Sequence, residues 1–526
     1  MFNIDSLPTE LMIYLFKFLS SEDRKIASEV CRNWYDIWME GIFDNDRTLK
    51  FYHCIINETT APAKILLKTE RKYTKLILGN GITFSDNYLT LFKSLKDITK
   101  ILFEEDFKYE QTKNFIGVFK NLKELSIPIA DWKYENNILE NLPPTVEVLT
   151  LFLLKYVGYS SAILKDLKCI IWHMPNLKEL NLECGKLTDD LFEFIATSPL
   201  THLMKLKINI DSHGFELLQK LEAPNLKEMF LEIKDHGCLG KLDEFISKFP
   251  KLKVIKLETP EIVPTTIHAD LFKFLYVHFD NFHSDLLKPL QYLTELEELI
   301  LQFPYPYSGS YGSCFFVHET YLNPNLKKLQ LWEFENDYIC HTCFENIIKS
   351  FPNLESFVTQ MPLTPQHFHM IHQNFTKLKS LEVEAFNIES KYIPPFQFLS
   401  NLTNLYLEHY VITDQTLNAW PKMPHLRSLK MSLKHPVALD KFTKMIRNVS
   451  GLEKLTFGYT DRINNGVMRV IAENLKRLRE VGDEEHAEVY DTTEDGAMLI
   501  MDNCKYIKRN GFPFYECFRE DWKEIK

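Results

Sequence analysis

None of the short motifs that usually mark covalent chemistry stands in this sequence. There is no Gly-Lys-Ser/Thr phosphate loop, no nucleophile elbow and no dinucleotide fingerprint. Basic charge is also lacking. The net charge is −11 and the pI is near 5.9, which argues against nucleic acid as the main partner, because phosphate binding needs concentrated Lys and Arg. No apolar run is long enough for a membrane. Residues 11–19 come nearest, but Lys17 interrupts them and they fall far short of the roughly 20 residues that a span requires. The opening Met-Phe-Asn-Ile-Asp lacks the basic region of a signal peptide. The 10 cysteines are scattered, mostly among apolar neighbours, as suits free thiols in a reducing compartment. Four glycosylation sequons, at Asn57, Asn374, Asn401 and Asn448, then read as chance matches. These absences lead to an expected cytoplasmic or nuclear protein that has no cofactor and binds neither membrane nor nucleic acid.

Metal chemistry has two weak candidates. Cys340-His341-Thr342-Cys343 has the look of half a zinc site, but no second cysteine pair follows and tetrahedral zinc wants four ligands. Cys340, Cys343, Phe344, Ile347 and Ile348 instead share helical spacing, so core cysteines are expected. His367, His369 and His372 lie in a similar helical segment, with no acidic residue between them in a metalloprotease pattern. No metal ligand and no catalytic residue is assigned.

What the chain does have begins in its first 45 residues. Ser6, Leu7 and Pro8 form a helix start, with proline where its missing N–H costs little. From Leu11 to Leu19 every residue but Lys17 is apolar or aromatic, so this helix needs cover on more than one side. Ser20 and Asp23 resemble a capping box that opens the next helix. Ile26, Ala27, Val30, Cys31, Trp34 and Trp38 then recur at steps of three and four, which predicts one apolar face. Three short helices bury too little surface to be very stable alone. Such a head either docks on another protein or caps the segment that follows it.

Leu7-Pro8-Thr9-Glu10-Leu11, with Leu15, Phe18 and Leu19 behind it and Val30-Cys31-Arg32-Asn33-Trp34 further on, resembles an F-box. The resemblance covers residues 4–42. It implies docking onto the Skp-type adaptor of cullin-based ubiquitin ligases, and through the adaptor to cullin and RING subunits. The positions it implicates are Leu7, Pro8, Glu10, Leu11, Leu15, Phe18, Leu19, Val30, Cys31, Trp34 and Trp38.

Residues 46–482 repeat one unit, stated by Asn176-Leu177-Lys178-Glu179-Leu180-Asn181-Leu182 as Leu-x-x-Leu-x-Leu. It recurs at a mean step of about 25 residues, inside the leucine-rich-repeat window, for about 16–17 copies. Weaker copies start at Tyr73, Ile98, Phe272 and Leu354, and Leu49-Lys50-Phe51-Tyr52 suits a first irregular strand. Leu-x-Leu makes a short strand with alternate side chains inward, and intervening segments such as 189–196 have helical spacing. A single coil cannot bury its own apolar edge, whereas stacked coils share one core. The expected fold is an α/β solenoid, a leucine-rich-repeat horseshoe with parallel strands inside and helices outside, preceded by the three-helix head. Residues 46–72 contain no Gly/Ser linker, so a rigid join is expected.

The residue between the last two leucines of each unit faces away from the core. That column includes Lys207, Phe230, Lys256, Tyr276, Ile300, Val358 and Tyr406. Bulky groups ringed by polar ones resemble protein-binding hot spots, although such residues also merely fit a pleated surface. Lys207 and Lys256 bracket Phe230 in the column, which suits an acidic or phosphorylated target segment. An insertion at 302–313 brings Tyr305, Tyr307 and Tyr311 among Pro, Gly and Ser. It is either a binding loop or a cover for nearby leucines. Residues 483–526 form an acidic stretch and then an aromatic end, expected to close the last coil.

The expectation is therefore a non-catalytic substrate receptor of an SCF-type ubiquitin ligase, whose head binds the adaptor and whose array binds a target protein. A leucine-rich-repeat scaffold or inhibitor acting outside a ligase is the alternative.

Overall fold

A computed structural model describes residues 9–19, 21–38, 47–51, 55–56, 72–79, 82–84, 88–103, 116–129, 143–153, 174–184, 189–198, 200–233, 240–260, 268–279, 284–303, 316, 322–332, 339–361, 363–384, 401–433, 438–458, 464–483, 500 and 503–504. The chain divides into two compact units, Met1–Leu257 and Glu258–Lys526.

The first unit opens with helices α1 (Thr9–Phe18), α2 (Ser21–Ser28) and α3 (Arg32–Trp38). Strands β1 (Thr48–Phe51), β2 (Ile55–Ile56), β3 (Lys75–Leu78), β4 (Thr83–Phe84) and β5 (Lys100–Phe103) follow. They are succeeded by β6 (Glu124–Ile129), β7 (Val148–Leu153), β8 (Glu179–Cys184), β9 (Lys205–Ile210) and β10 (Glu228–Ile233). The division into units falls within β11 (Val254–Thr259). The second unit holds β12 (Phe272–His278), β13 (Glu298–Gln302), β14 (Lys328–Trp332), β15 (Ser356–Thr359) and β16 (Ser380–Glu384). It ends with β17 (Asn404–Ile412), β18 (Ser428–Leu433), β19 (Lys454–Phe457) and β20 (Glu480–Asp483). Among the described residues, apart from the separate small pair β2–β4, eighteen strands carry the repeat, one for each expected copy plus the irregular first strand and the last at Val481.

The pairings among the described strands are parallel, and the registers put equivalent leucines side by side. In the first unit Leu49, Leu76, Ile101, Leu125, Leu149, Leu180, Leu206 and Met229 form one ladder. In the second, the ladder runs Leu275, Leu299, Leu329, Phe357, Leu381, Leu405, Leu429, Leu455 and Val481. Leu49, on the first strand, is half-buried; the other rungs are all buried. This is a leucine-rich-repeat solenoid: parallel strands joined by crossovers, with one apolar row shared by successive coils.

The crossovers are less uniform than the expected row of helices. Asp189–Thr197 is an α-helix as its spacing predicts, and so are His341–Ser350, Leu439–Asn448 and Asn465–Asn474. Ser284–Tyr292, however, is a 3₁₀ helix with Pro289 inside it, because proline supplies no N–H for an α-helical ladder. The crossover Ile116–Val118 is a single 3₁₀ turn. One strand also breaks step. Between β17 and β18 the register shifts from Tyr406 to Val411, which lets the nine-residue β17 bend.

A second set of bonds ties the turns together. Asn121, Asn176, Asn225, Asn325 and Asn353 each donate from Nδ2 to a carbonyl of the preceding coil, those of Lys96, Pro144, Thr201, Thr294 and Pro324. Each asparagine directly precedes the first leucine of its unit. On the rim, charges of opposite sign alternate from coil to coil. Glu147 pairs with Lys178, Glu297 with Lys327 and Glu355 with Lys379, while Glu453 sits between Arg427 and Arg479. These pairs are exposed to solvent and add little stability.

The expected join at residues 46–72 lies largely outside the described residues, as do the acidic stretch beyond Asp483 and the aromatic end beyond Cys504. Stability therefore resides in the ladder. Leu405→Ala, at a rung fully hidden from water, is expected to cost about 2–5 kcal/mol. Glu355→Gln on the rim should leave the urea midpoint unchanged. Urea unfolding of both variants beside the parent checks the contrast.

Candidate functional site

The head packs around its own small core. Met12 and Phe16 of α1 meet Ala27 of α2 and Ile37 and Trp38 of α3, with Ile13, Leu19, Trp34 and Tyr35 against them. The Trp34 ring stands edge-on to Phe16, centroids 5.8 Å apart, and Tyr35 leans on Trp38 at 6.0 Å. Arg24 Nη1 donates to the carbonyls of Leu19 and Phe16, at 2.5 and 3.4 Å. This cation satisfies acceptors left over at the end of α1 and opposes its negative pole. The predicted continuous face from Ile26 to Trp38 does not form. After Ser28 the chain turns, with Val30 N–H on Ala27 O and Glu29 N–H on Ile26 O, and α3 restarts where Tyr35 N–H reaches Cys31 O.

That break sorts the implicated residues. Trp38 is 3% exposed and belongs to the core, so its place as a docking residue is corrected: it holds the helices together. Leu19 and Trp34 are half-buried against the same core, and Cys31 is half-buried. Leu15 and Val30 are open to solvent, at 42% and 64%. Tyr14 and Ile26, which the sequence reading missed, are exposed too, at 58% and 66%. Tyr14 lies beside Leu15 on α1 and Ile26 four residues before Val30, so helical spacing carried a signal for both. Leu7 and Pro8 lie outside the described residues, as do the side chains of Glu10, Leu11 and Phe18. Ser20 of the supposed capping box is outside them as well. Among the described residues eight large hydrophobic side chains are exposed, and four of them fall within positions 14–30. So dense a cluster marks a surface that meets another surface.

The outward column of the array is wetter in some places than in others. Lys207 places its ammonium over the Phe230 ring, 5.1 Å from the centroid, an attraction internal to the face. Lys205 on the same strand pairs with Glu228 at 3.1 Å. The cationic surroundings expected for Phe230 are thus already shared with an aromatic ring and a carboxylate, and Lys256 alone of the three lysines is shown with no such contact and exposed. In the second unit the Tyr276 hydroxyl bonds Gln302, Ile300 and Val358 are half-buried, and Tyr406 Oη lies 2.9 Å from Ser428 Oγ. Trp332, which sits one outward position beyond the column read from sequence, is 36% exposed. Tyr305, Tyr307 and Tyr311 lie outside the described residues.

The metal candidates have local explanations. Cys340 caps the helix His341–Ser350, its Sγ accepting from Cys343 N–H at 3.3 Å. Cys343 is fully buried and accepts from Phe316 N–H at 3.2 Å. His367 closes a capping box, with Nδ1 accepting from Thr364 N–H and its own N–H reaching Thr364 Oγ1. Among the described residues no three His, Cys, Asp or Glu gather to hold a metal, and no helix is long and apolar enough to cross a membrane.

Residues 4–42 match the family model described as F-box-like. No curated protein matches the chain. Solved structures similar to it include the crystal structure of the TLR13-ssRNA13 complex, 16% identical over 83% of this chain and 70% of that one, with a TM-score of 0.38. Similarity at that level carries no argument about ligands. The chain thus joins an F-box-like segment to a leucine-repeat array.

The buried His367 also sets a pH dependence. Burial, and then the neighbouring His341, pull its pKa down from 6.5 to about 4. Below pH 6.5 the unfolded chain takes a proton that the folded chain refuses, so stability is lost as pH falls toward 4. His367→Gln keeps a capping-box residue at that position and removes the titration. The variant should lose less stability than the parent between pH 6.5 and 5, as read by urea midpoints across that range.

Proposed function

We propose that the chain is a substrate receptor of a cullin-based ubiquitin ligase. The F-box-like head docks on a Skp-type adaptor, which links it to cullin and RING subunits, and the array holds a target protein. One observation supports this reading above all. In the segment that matches the F-box-like model, Tyr14, Leu15, Ile26 and Val30 stand in water around a completed core. A cap that merely shielded the first coil would turn such side chains inward.

In this reading the chain breaks no bond. It contributes proximity: a target lysine held near the ubiquitin thioester reacts at a high effective concentration.

The test separates docking from folding. Trp34 packs on Phe16, so its removal would damage the head itself. Leu15→Asp and Val30→Asp change exposed positions instead. Each withdraws an apolar contact worth about 1.5–3 kcal/mol and buries a charge, so adaptor affinity should fall by at least tenfold. Leu439→Asp, an exposed leucine of the second unit, serves as the control. Adaptor titrations by calorimetry, with circular dichroism to confirm folding, decide the matter. Unchanged affinity in both head variants would remove the docking face. Adaptor binding without cullin in the assembled complex would favour a scaffold outside a ligase.

A further inference from the structure

The first turn of the helix His341–Ser350 brings two thiols together. Cys340 is the N-cap residue, and its sulfur accepts from the N–H of Cys343 at 3.3 Å. Side chains at these two places of a helix start reach toward each other, as in a capping box. Helical geometry sets their Cα atoms about 5–6 Å apart, inside the span of about 4–7 Å that a disulfide bridges. Both are free thiols, Cys340 half-buried and Cys343 fully buried. One sulfur therefore meets solvent and the other stands behind it.

Cys343 also fastens a distant part of the chain. Its Sγ accepts from Phe316 N–H at 3.2 Å. Asn346 Nδ2 donates to the Phe316 carbonyl, and the Phe316 ring stands edge-on to Phe351, centroids 6.0 Å apart. The helix and its C-cap thus hold Phe316 at three points, of which Cys343 lies nearest the N-terminus. Phe316 bounds one end of residues 304–315, the stretch that carries Tyr305, Tyr307 and Tyr311. Phe303, buried and stacked on Phe279 at 5.8 Å, bounds the other.

We propose that Cys340 and Cys343 form a peroxide-sensitive dithiol whose closure unfastens Phe316. The oxidant is a hydroperoxide. The Cys340 sulfur attacks one peroxide oxygen, the O–O bond breaks, and Cys340 becomes a sulfenic acid as the alcohol or water leaves. The Cys343 sulfur then attacks the sulfenic sulfur. The S–S bond forms, and the thiol proton departs with the hydroxyl as water. Two electrons pass from the thiols to the peroxide. The new bond draws Cys343 Sγ toward the N-cap, while Asn346 and Phe351 hold Phe316 on the opposite side. The Phe316 N–H then loses its acceptor, and a buried donor without one is costly. Exchange with a small thiol reopens the bond and restores the contact. This device is independent of the ligase reading.

The test treats the full chain with hydrogen peroxide and follows it by peptide mass spectrometry and hydrogen exchange. Cys340 and Cys343 should vanish together from iodoacetamide labelling, in a peptide lighter by two hydrogens, and dithiothreitol should reverse both changes. Exchange at the Phe316 amide should quicken about tenfold on oxidation, as for one lost hydrogen bond, while strand β18 keeps its protection. Cys340→Ser keeps a capping oxygen and removes the sulfur that meets the oxidant. In that variant peroxide should leave exchange at Phe316 unchanged. Cys343→Ala should show the quickened exchange with no oxidant present. Oxidation of Cys340 without a disulfide, or pairing of either thiol with another cysteine, would overturn the proposal. So would equal exchange at Phe316 in the reduced and oxidised chains, an undiminished response in Cys340→Ser, or loss of protection in β18 as well.

Discussion

Each coil depends on the next to hide its leucines. A single strand and its crossover leave one apolar edge bare, and burial comes only when the equivalent leucine of the neighbouring coil lies alongside. The ladder from Leu275 to Val481 shows this dependence at every step. Parallel pairing in constant register follows, since a slip of one residue would turn the leucines outward. The outward columns are then free of packing duty, and recognition is built there. The asparagine bonds between turns and the alternating charges on the rim act in the same direction. They favour the matched coil-to-coil register, but they gain that meaning only after the ladder has brought the coils together.

The head obeys the opposite rule. Its core of Met12, Phe16, Ala27, Ile37 and Trp38 closes without help, yet Tyr14, Leu15, Ile26 and Val30 remain in water. A module this small cannot cover both faces of α1 with two short helices. The apolar residues left over therefore mark where burial is completed by contact. Solvent exposure in the head and full burial in the ladder are two outcomes of one accounting of apolar surface.

Spacing made the ladder legible, because a period of alternate residues within a period of about 25 specifies both strand and stack. Even the weak copies at Tyr73, Ile98, Phe272 and Leu354 became strands in register. The turn bonds were not foreseen, although their signal was present in the recurring Pro-Asn-Leu at 175–177, 224–226, 324–326 and 352–354. The shift at Tyr406/Val411 and the division near residue 257 left no comparable trace, since both arise from how coils fit rather than from any one coil's pattern. In the head, residue type was read well and side was not. Ile26, Ala27, Val30 and Trp38 looked like one face because the turn after Ser28 is invisible to a count of threes and fours.

The outward face illustrates why binding chemistry is harder to read than fold. Sequence spacing says which side chains leave the core but not what they meet afterwards. Lys207 looked like an open cation and instead lies over Phe230, while Trp332, outside the column of Gln330, holds its indole exposed with its N–H bonded to Gln330 of the same strand. A side chain already satisfied within the sheet loses partners when a target arrives, whereas an exposed ring with its one polar atom occupied only gains them. By that criterion Trp332 is the outward side chain of the second unit with the most to gain from contact. The same criterion ranks Phe230 lower, because its ring already has a cation and binding there would first have to displace it.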